Sequence, residues 1–277
     1  MRQKRYRYGV IVVTRDRPDL LARCLEHLSH TVNDVNARPR IVVWDNGTDP
    51  ETPAICKQYR ATRLTRVGVN ISFSVANNEA AKRITGDLLL LNNDVFLQPG
   101  AIEALIAERQ NGCDVVGAKL LYPDGRIQHY GVGFSREMHP FHVGRFEPAD
   151  CDWASERRVV PVVTAALTLI NREWWDRLDG FGEEYRFGYE DVDFCLRARE
   201  SGAVVGVTPG AVAVHLESQT AGRSSFDDDN WRTFKRGWLD TGRINAALGV
   251  WPFWLTPGVQ RIVGPDADMA KVMLESS

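Results

Sequence analysis

The first hundred residues alternate short apolar runs with amphipathic segments. YGVIVV at 8–13 is β-branched and lacks a helical period, which predicts a buried parallel strand. Pro18 then opens a helix over DLLARCLEHLSH, with Leu21, Cys24, Leu25 and Leu28 on its apolar face. RIVVWDNG at 40–47 predicts a second buried strand ending in Asp45-Asn46-Gly47, followed by a helix in TDPETPAICKQY. A short strand over 64–67, the loop VGVNISFS, a helix in SVANNEAAKRI and the strand DLLLLNND at 87–94 continue the alternation, and the four leucines mark a central strand. This order is the signature of a parallel sheet covered by helices. Ligands bind outside the carboxyl ends of the strands in such sheets, so Thr14, Arg15, Asp16, Asp45 and Asp94 are expected on one edge.

After a helix over 99–110 the pattern changes. DVVGAKLLY, the PDG turn at 123–125 and RIQHYGVGF predict antiparallel strands joined by a hairpin. Residues 135–158 are polar and aromatic without a period, and a long connection of this kind is functional or mobile. VVPVVTAALTLI at 159–170 predicts a buried strand, NREWWDRL a short helix, and GFGEEYRFGYED a loop that turns into a helix near Glu190. Val192, Cys195 and Leu196 have helical spacing there, Asp193 and Arg197 pair at i,i+4 on the helix surface, and Gly202 closes the helix. AVVGV and AVAVHL predict two further strands. From Phe226 the tail carries a polar helix, Trp238, and the cluster WPFWLTP at 251–257, too short to span a membrane.

Composition narrows the class. The chain has 277 residues, 44% hydrophobic and 25% charged, enough to bury a substantial core. Its net charge of -2 excludes a global nucleic-acid footprint, although MRQKRYR is locally basic. The five cysteines include no CxxC pair, so neither a disulfide framework nor a thiolate zinc site is indicated and a reduced, cytoplasmic setting fits. The N-terminal apolar run breaks off into TRDRP, short of a signal peptide's apolar region.

Candidate chemistry sits in the carboxylates. Asp94 ends a central strand beside Asn92 and Asn93, suited either to a hard divalent cation on phosphate oxygens or to capping the next helix; the two readings stand level. Asp45 is a ligand contact or part of a DNG turn. Glu190 and Asp191 fall in a first helical turn, where the macrodipole favours anions whatever their role. The aromatic run Tyr185, Phe187, Tyr189 before them is suited to excluding water. His215, alternating with apolar residues, reads first as a packed residue and second as a ligand. His139 and His142 have HxxH spacing but no acidic partner nearby. GVG at 131–133 lacks a third glycine and GxxxxGK[ST] is absent, which removes dehydrogenase and P-loop readings.

In order, these segments resemble the family 2 nucleotide-diphospho-sugar glycosyltransferases, inverting enzymes of the α/β GT-A fold. The resemblance runs over about residues 7–220. It rests on VIVVTRDRP, IVVWDNGTD, NISFSVANNEAAKRITGDLLLLNND, VVGAKLLYPDGRIQHYG, VVTAALTLINREWWDRLDGFGEEYRFGYEDVDFCLRARESG and AVAVHLESQT. The PDG-x-IQH-x-G hairpin and EDVDFCLR are most like the rhamnosyltransferase-like branch. The resemblance implies a catalytic domain over 1–225, with a Rossmann-like nucleotide-binding half to about 98 and an acceptor half with antiparallel strands from 99, then an extension over 226–277 packed upon it. It implies Asp191 as general base with Glu190 beside it. Thr14, Arg15, Asp45, Asn78, Asn92 and Asn93 match donor-binding positions, and Asp94 with His215 match ligands of Mg²⁺ or Mn²⁺. Asn92 replaces the first acid of the family's DxD, Ala165 stands where relatives often have glycine, and TRDRP departs from the usual tyrosine and asparagine.

A UDP- or dTDP-linked sugar donor and a glycan or lipid-linked acceptor are the partners so implied. Peripheral membrane contact through Trp238, Trp251, Phe253 and Trp254 and a homodimer remain open, and a nucleic-acid acceptor is not expected. Two other classes stand beside this reading. One is a nucleotide-sugar-binding module without activity, motivated by Asn92. The other is a nucleotidyltransferase, for which the first loop has the charge but not the glycines.

Overall fold

The computed structural model describes residues 6–34, 39–65, 70–135, 137–217 and 227–248. Strand β1 (Tyr8–Thr14) pairs in parallel with β2 (Arg40–Asp45) on one side and β4 (Asp87–Leu91) on the other, and β3 (Thr62–Thr65) extends the sheet beyond β2. The connections are α1 (Pro18–Asp34), α2 (Thr52–Gln58) and α3 (Phe73–Ala81). Successive strand residues point to opposite faces, and both faces of β1 are covered. Val10 and Val12 pack in one cluster with Leu21, Leu25 and Leu28 of α1, while Ile11 packs in another with Ala80 and Ala81 of α3. An unbroken apolar run is the sequence such a strand requires.

Past β4 the sheet changes sense. β11 (Leu167–Ile170) lies antiparallel between β4 and β6 (Val115–Leu121), and β12 (Val205–His215) runs parallel to β6. β10 (Arg158–Val159) borders β12, while β5 (Val95–Leu97) and β7 (Ile127–His129) pair with β12 and β6, giving a ten-stranded sheet. β8 (Val132–Phe134) and β9 (Pro140–His142) form a separate antiparallel pair. The remaining helices are α4 (Ala101–Gln110), α5 (Arg172–Arg177), α6 (Glu190–Glu200), α7 (Asp227–Phe234) and α8 (Arg243–Leu248), with a π-helical turn over Lys235–Leu239. Among the described residues no helix is long and apolar enough to cross a membrane.

Several elements depart from the sequence pattern for local reasons. RIQHYGVGF is two strands, because Gly131 takes φ +101° and a Cβ there would lie 2.9 Å from Val160 Cγ1. The run at 159–170 is strand only at its ends. Between them Thr168 Oγ1 donates to the Thr164 carbonyl at 2.5 Å and Thr164 Oγ1 accepts from Ala166 N–H at 3.4 Å, local bonds that compete with the ladder. The two strands expected around 203–216 are one, β12, whose register shifts between Thr208 and Val212, so Pro209-Gly210 marks a bulge rather than a turn. Residues 135–158 are not structureless, since they hold β9 and a 3₁₀ turn over Asp152–Ser155 and lead into β10. The third strand covers Thr62–Thr65. Residues 66 and 67 and the aromatics Trp251, Phe253 and Trp254 lie outside the described residues.

Candidate active site

Because β11 runs antiparallel to β4, with Leu167 opposite Leu91, the residues before β11 meet the residues after β4. The carboxyl ends of β1 and β12 reach the same edge. The result is a cavity of about 560 Å³ lined by Thr14, Arg15, Asp16, Arg17, Asn92, Asn93, Asp94, Ala165, Glu190, Asp191 and His215, with apolar wall from Val13, Leu20, Phe73 and Phe187.

On the β1 side, Thr14 Oγ1 accepts from Asn93 Nδ2 at 2.9 Å, joining two strand ends. Asp16, at φ +48°, accepts from Thr48 N–H at 2.7 Å and Asp49 N–H at 3.2 Å, which pins the loop carrying Arg15 and Arg17 against the loop after β2. Arg17 is bidentate to Asp19, at 2.9 and 2.8 Å. That bond raises the Arg17 pKa, and the charge of Asp94 adds to it.

Asp94 is buried and followed by β5, while α4 is capped by Gly100, so the helix-capping reading of Asp94 fails. Its Oδ1 lies 3.3 Å from His215 Nε2. His215 is buried as well, its Nδ1 lies 2.6 Å from Gln128 Oε1, and it lines the cavity. Two donors on one cation at right angles and bond lengths near 2.1 Å stand about 3 Å apart. The pair therefore fits a hard divalent cation, which would need further ligands beyond these two side chains. No group of three or more His, Cys, Asp or Glu side chains suited to a metal ion occurs among the described residues.

Asp191 enters from α6. Its Oδ2 accepts from Ala165 N–H at 3.0 Å and its Oδ1 from Val192 N–H at 2.9 Å, so the carboxylate is oriented by backbone and keeps lone pairs for the cavity. The turn delivering it is unusual: Phe187 and Tyr189 have φ +56° and +70° around Gly188 at +139°. Glu190 Oε2 accepts from Gly188 N–H at 2.6 Å and holds that turn closed.

Two matched positions do not line the cavity. Asp45 is buried at its margin, accepting from Gly47 N–H at 2.8 Å and from Arg63 at 2.7 and 2.9 Å, the turn role open to it in DNG. Its neighbour Asn46 lines the cavity instead. Asn78 braces the approach to α6, donating to the Phe181 carbonyl at 3.0 Å and to Glu183 at 3.1 Å while accepting from Phe181 N–H at 2.9 Å. Asp193 pairs with Arg197 at 2.6 Å as its spacing predicts, but it is buried, because Trp238 Nε1 donates to its other oxygen at 2.9 Å. The HxxH residues separate: His139 stacks on Trp231, and His142 Nδ1 lies 2.7 Å from Nδ1 of buried His129. Burial drives the His129 pKa well below 6.5. Burial also raises all five thiols, Cys195 to about 12, which removes them as nucleophiles.

The profile described as glycosyl transferase family 2 matches residues 9–174. Over 246 residues, 83% of the chain, the sequence is 32% identical to the O-antigen biosynthesis protein RfbC of Myxococcus xanthus. It is also 32% identical over 242 residues, 82% of the chain, to the uncharacterized protein y4gI of Sinorhizobium fredii (strain NBRC 101917 / NGR234). The chain spans only 19% and 26% of those proteins' lengths. Among solved structures, GalNAc-T7 with UDP, GalNAc and Mn²⁺ matches 99% of this chain and 55% of its own with a TM-score of 0.66 at 14% identity. The mannosyltransferase PcManGT of Pyrobaculum calidifontis, in complex with GDP-Man and Mn²⁺, matches 99% of this chain and 70% of its own with a TM-score of 0.59 at 15% identity. At such identities the likeness carries the fold, which is GT-A. The chain belongs to glycosyl transferase family 2.

Proposed function

We propose that the chain transfers a sugar, with inversion, from a UDP- or dTDP-linked donor to an acceptor hydroxyl, with a divalent cation at Asp94 and His215 and with Asp191 as general base. The observation that carries this is the shared cavity, in which a backbone-oriented carboxylate and a histidine–aspartate cation pair line the same space. Asp16, Asp94, Glu190 and Asp191 outnumber Arg15 and Arg17 there, so a diphosphate entering needs added positive charge. When bound, a divalent cation neutralises charge on the departing diphosphate as a Lewis acid.

The chain's own residues do the rest. Asp191 takes the acceptor hydroxyl proton as that oxygen bonds to the anomeric carbon. The bond from that carbon to the diphosphate oxygen breaks, and its electron pair leaves with the nucleotide. Attack opposite the leaving group inverts the anomeric centre. Phe73 and Phe187 exclude water beside the reacting carbon, which limits donor hydrolysis. The O-antigen biosynthesis relative supports a glycan or lipid-linked acceptor.

The test is a panel of UDP-, dTDP- and GDP-sugars incubated with Mn²⁺ or chelator, reading nucleoside diphosphate release and thermal shift. One UDP- or dTDP-sugar should stabilise the protein and turn over with metal alone, and Asp94→Ala should abolish both effects. Stabilisation without turnover for any donor and acceptor would indicate a binding module, and no stabilisation would remove the donor reading.

A further inference from the structure

Gln128 lies behind the cavity rather than in its lining, 2% exposed on β7, and reaches His215 at the end of β12. Its Nε2 donates to the His215 carbonyl at 3.3 Å, and its Oε1 lies 2.6 Å from His215 Nδ1. The carbonyl decides which way the amide faces, because the reversed amide would set two acceptor oxygens against each other. With Oε1 toward the ring, Nδ1 must be the nitrogen that carries a proton.

The lone pair of neutral His215 is then on Nε2, 3.3 Å from Asp94 Oδ1. A lone pair and a carboxylate oxygen at that separation repel unless something positive lies between them. Reversing the tautomer would bring Nδ1 and Oε1 together as two acceptors.

We infer that Gln128 is a positioning residue for this site: it fixes His215 with the proton on Nδ1 and aims the Nε2 lone pair at the position shared with Asp94. The inference rests on the cation reading proposed above. Metal-binding histidines are generally oriented by an acceptor on the second ring nitrogen, and losing that acceptor costs about 10–100-fold in metal affinity. The neutral amide supplies it here without adding charge to a cavity already rich in carboxylates.

Two variants and one spectrum test it. Gln128→Met keeps the volume and removes both contacts. Gln128→Glu keeps an acceptor for Nδ1–H while losing the donor to the His215 carbonyl. Mn²⁺ affinity, read from the signal of free Mn²⁺ by electron paramagnetic resonance with UDP present, should fall about 10–100-fold in Gln128→Met. It should stay within about threefold of wild type in Gln128→Glu, since the orienting acceptor survives. Wild-type affinity in Gln128→Met, or an equal fall in both variants, would overturn the inference. The second readout needs neither metal nor turnover: long-range ¹⁵N spectra of histidine-labelled wild type, with His215 assigned by its absence in His215→Ala, should show Nδ1 protonated and Nε2 unprotonated. An unprotonated Nδ1, or a proton on both nitrogens, overturns the inference. If wild type binds no Mn²⁺, the cation reading fails, and the spectrum still decides the role of Gln128.

Discussion

Glu190, Asp191 and Asp193 share one helical turn and have separate fates. Glu190 closes the Gly188 turn, Asp191 meets Ala165 N–H in the cavity, and Asp193 is claimed by Trp238 from the far end of the chain. Trp238 is 1% exposed, with the Arg243 guanidinium 4.3 Å from its ring centroid. Trp238→Phe fills most of the space but leaves a buried carboxylate oxygen without its donor, which should cost about 1–3 kcal/mol in urea unfolding. Trp238→Ala adds a cavity and should cost about 3–5 kcal/mol. A loss below about 0.5 kcal/mol in both would mean that Trp238 does not anchor the tail to α6. The pairing of Asp193 with Arg197 was legible from their i,i+4 spacing. Its burial was not, because the covering residue is 45 positions away.

At the scale of elements, the strands with unbroken β-branched or leucine runs, β1, β2 and β4, were legible because burial on both faces leaves one pattern. The bounds of β10 to β12 were not, since Thr164 bonds locally to Ala166 N–H and the Thr168 hydroxyl, and Pro209-Gly210 bulges instead of turning. α3 was legible as a helix, but its role as a brace was not. Asn78 grips Phe181 and Glu183, and Ser74 Oγ donates to the Tyr185 carbonyl at 3.3 Å, fixing both ends of the loop that delivers Asp191. Asn78→Ala should therefore cost about 1–3 kcal/mol of stability and lower kcat while donor KM stays near wild type. A raised donor KM with unchanged kcat would mean instead that Asn78 contacts the donor, as the family resemblance implies.

Across the whole molecule, one antiparallel strand inserted beside β4 joins the two ends of the site. It brings the amide of Ala165 within bonding distance of Asp191, while β12 returns His215 to the Asp94 end. The gathering of Thr14, Arg15, Asp16 and Asp94 at strand ends was legible from topology alone, whereas Asp45, expected with them, does not line the cavity. The involvement of Ala165 and Gln128 was not, since neither residue type carries a signal of its own. The π-helical turn and α8 lock this assembly from behind, through Arg199 to the Ala247 carbonyl at 2.9 Å and an Arg243–Glu200 ion pair at 2.5 Å.

Asp191 is the residue on which the proposed transfer depends. Asparagine at 191 keeps the shape and an acceptor for Ala165 N–H but cannot take a proton. With the active donor and Mn²⁺, the transfer rate of Asp191→Asn should fall by about 10²–10⁴-fold while nucleotide thermal stabilisation matches wild type. Turnover retained within about tenfold would contradict the assignment of Asp191 as the base.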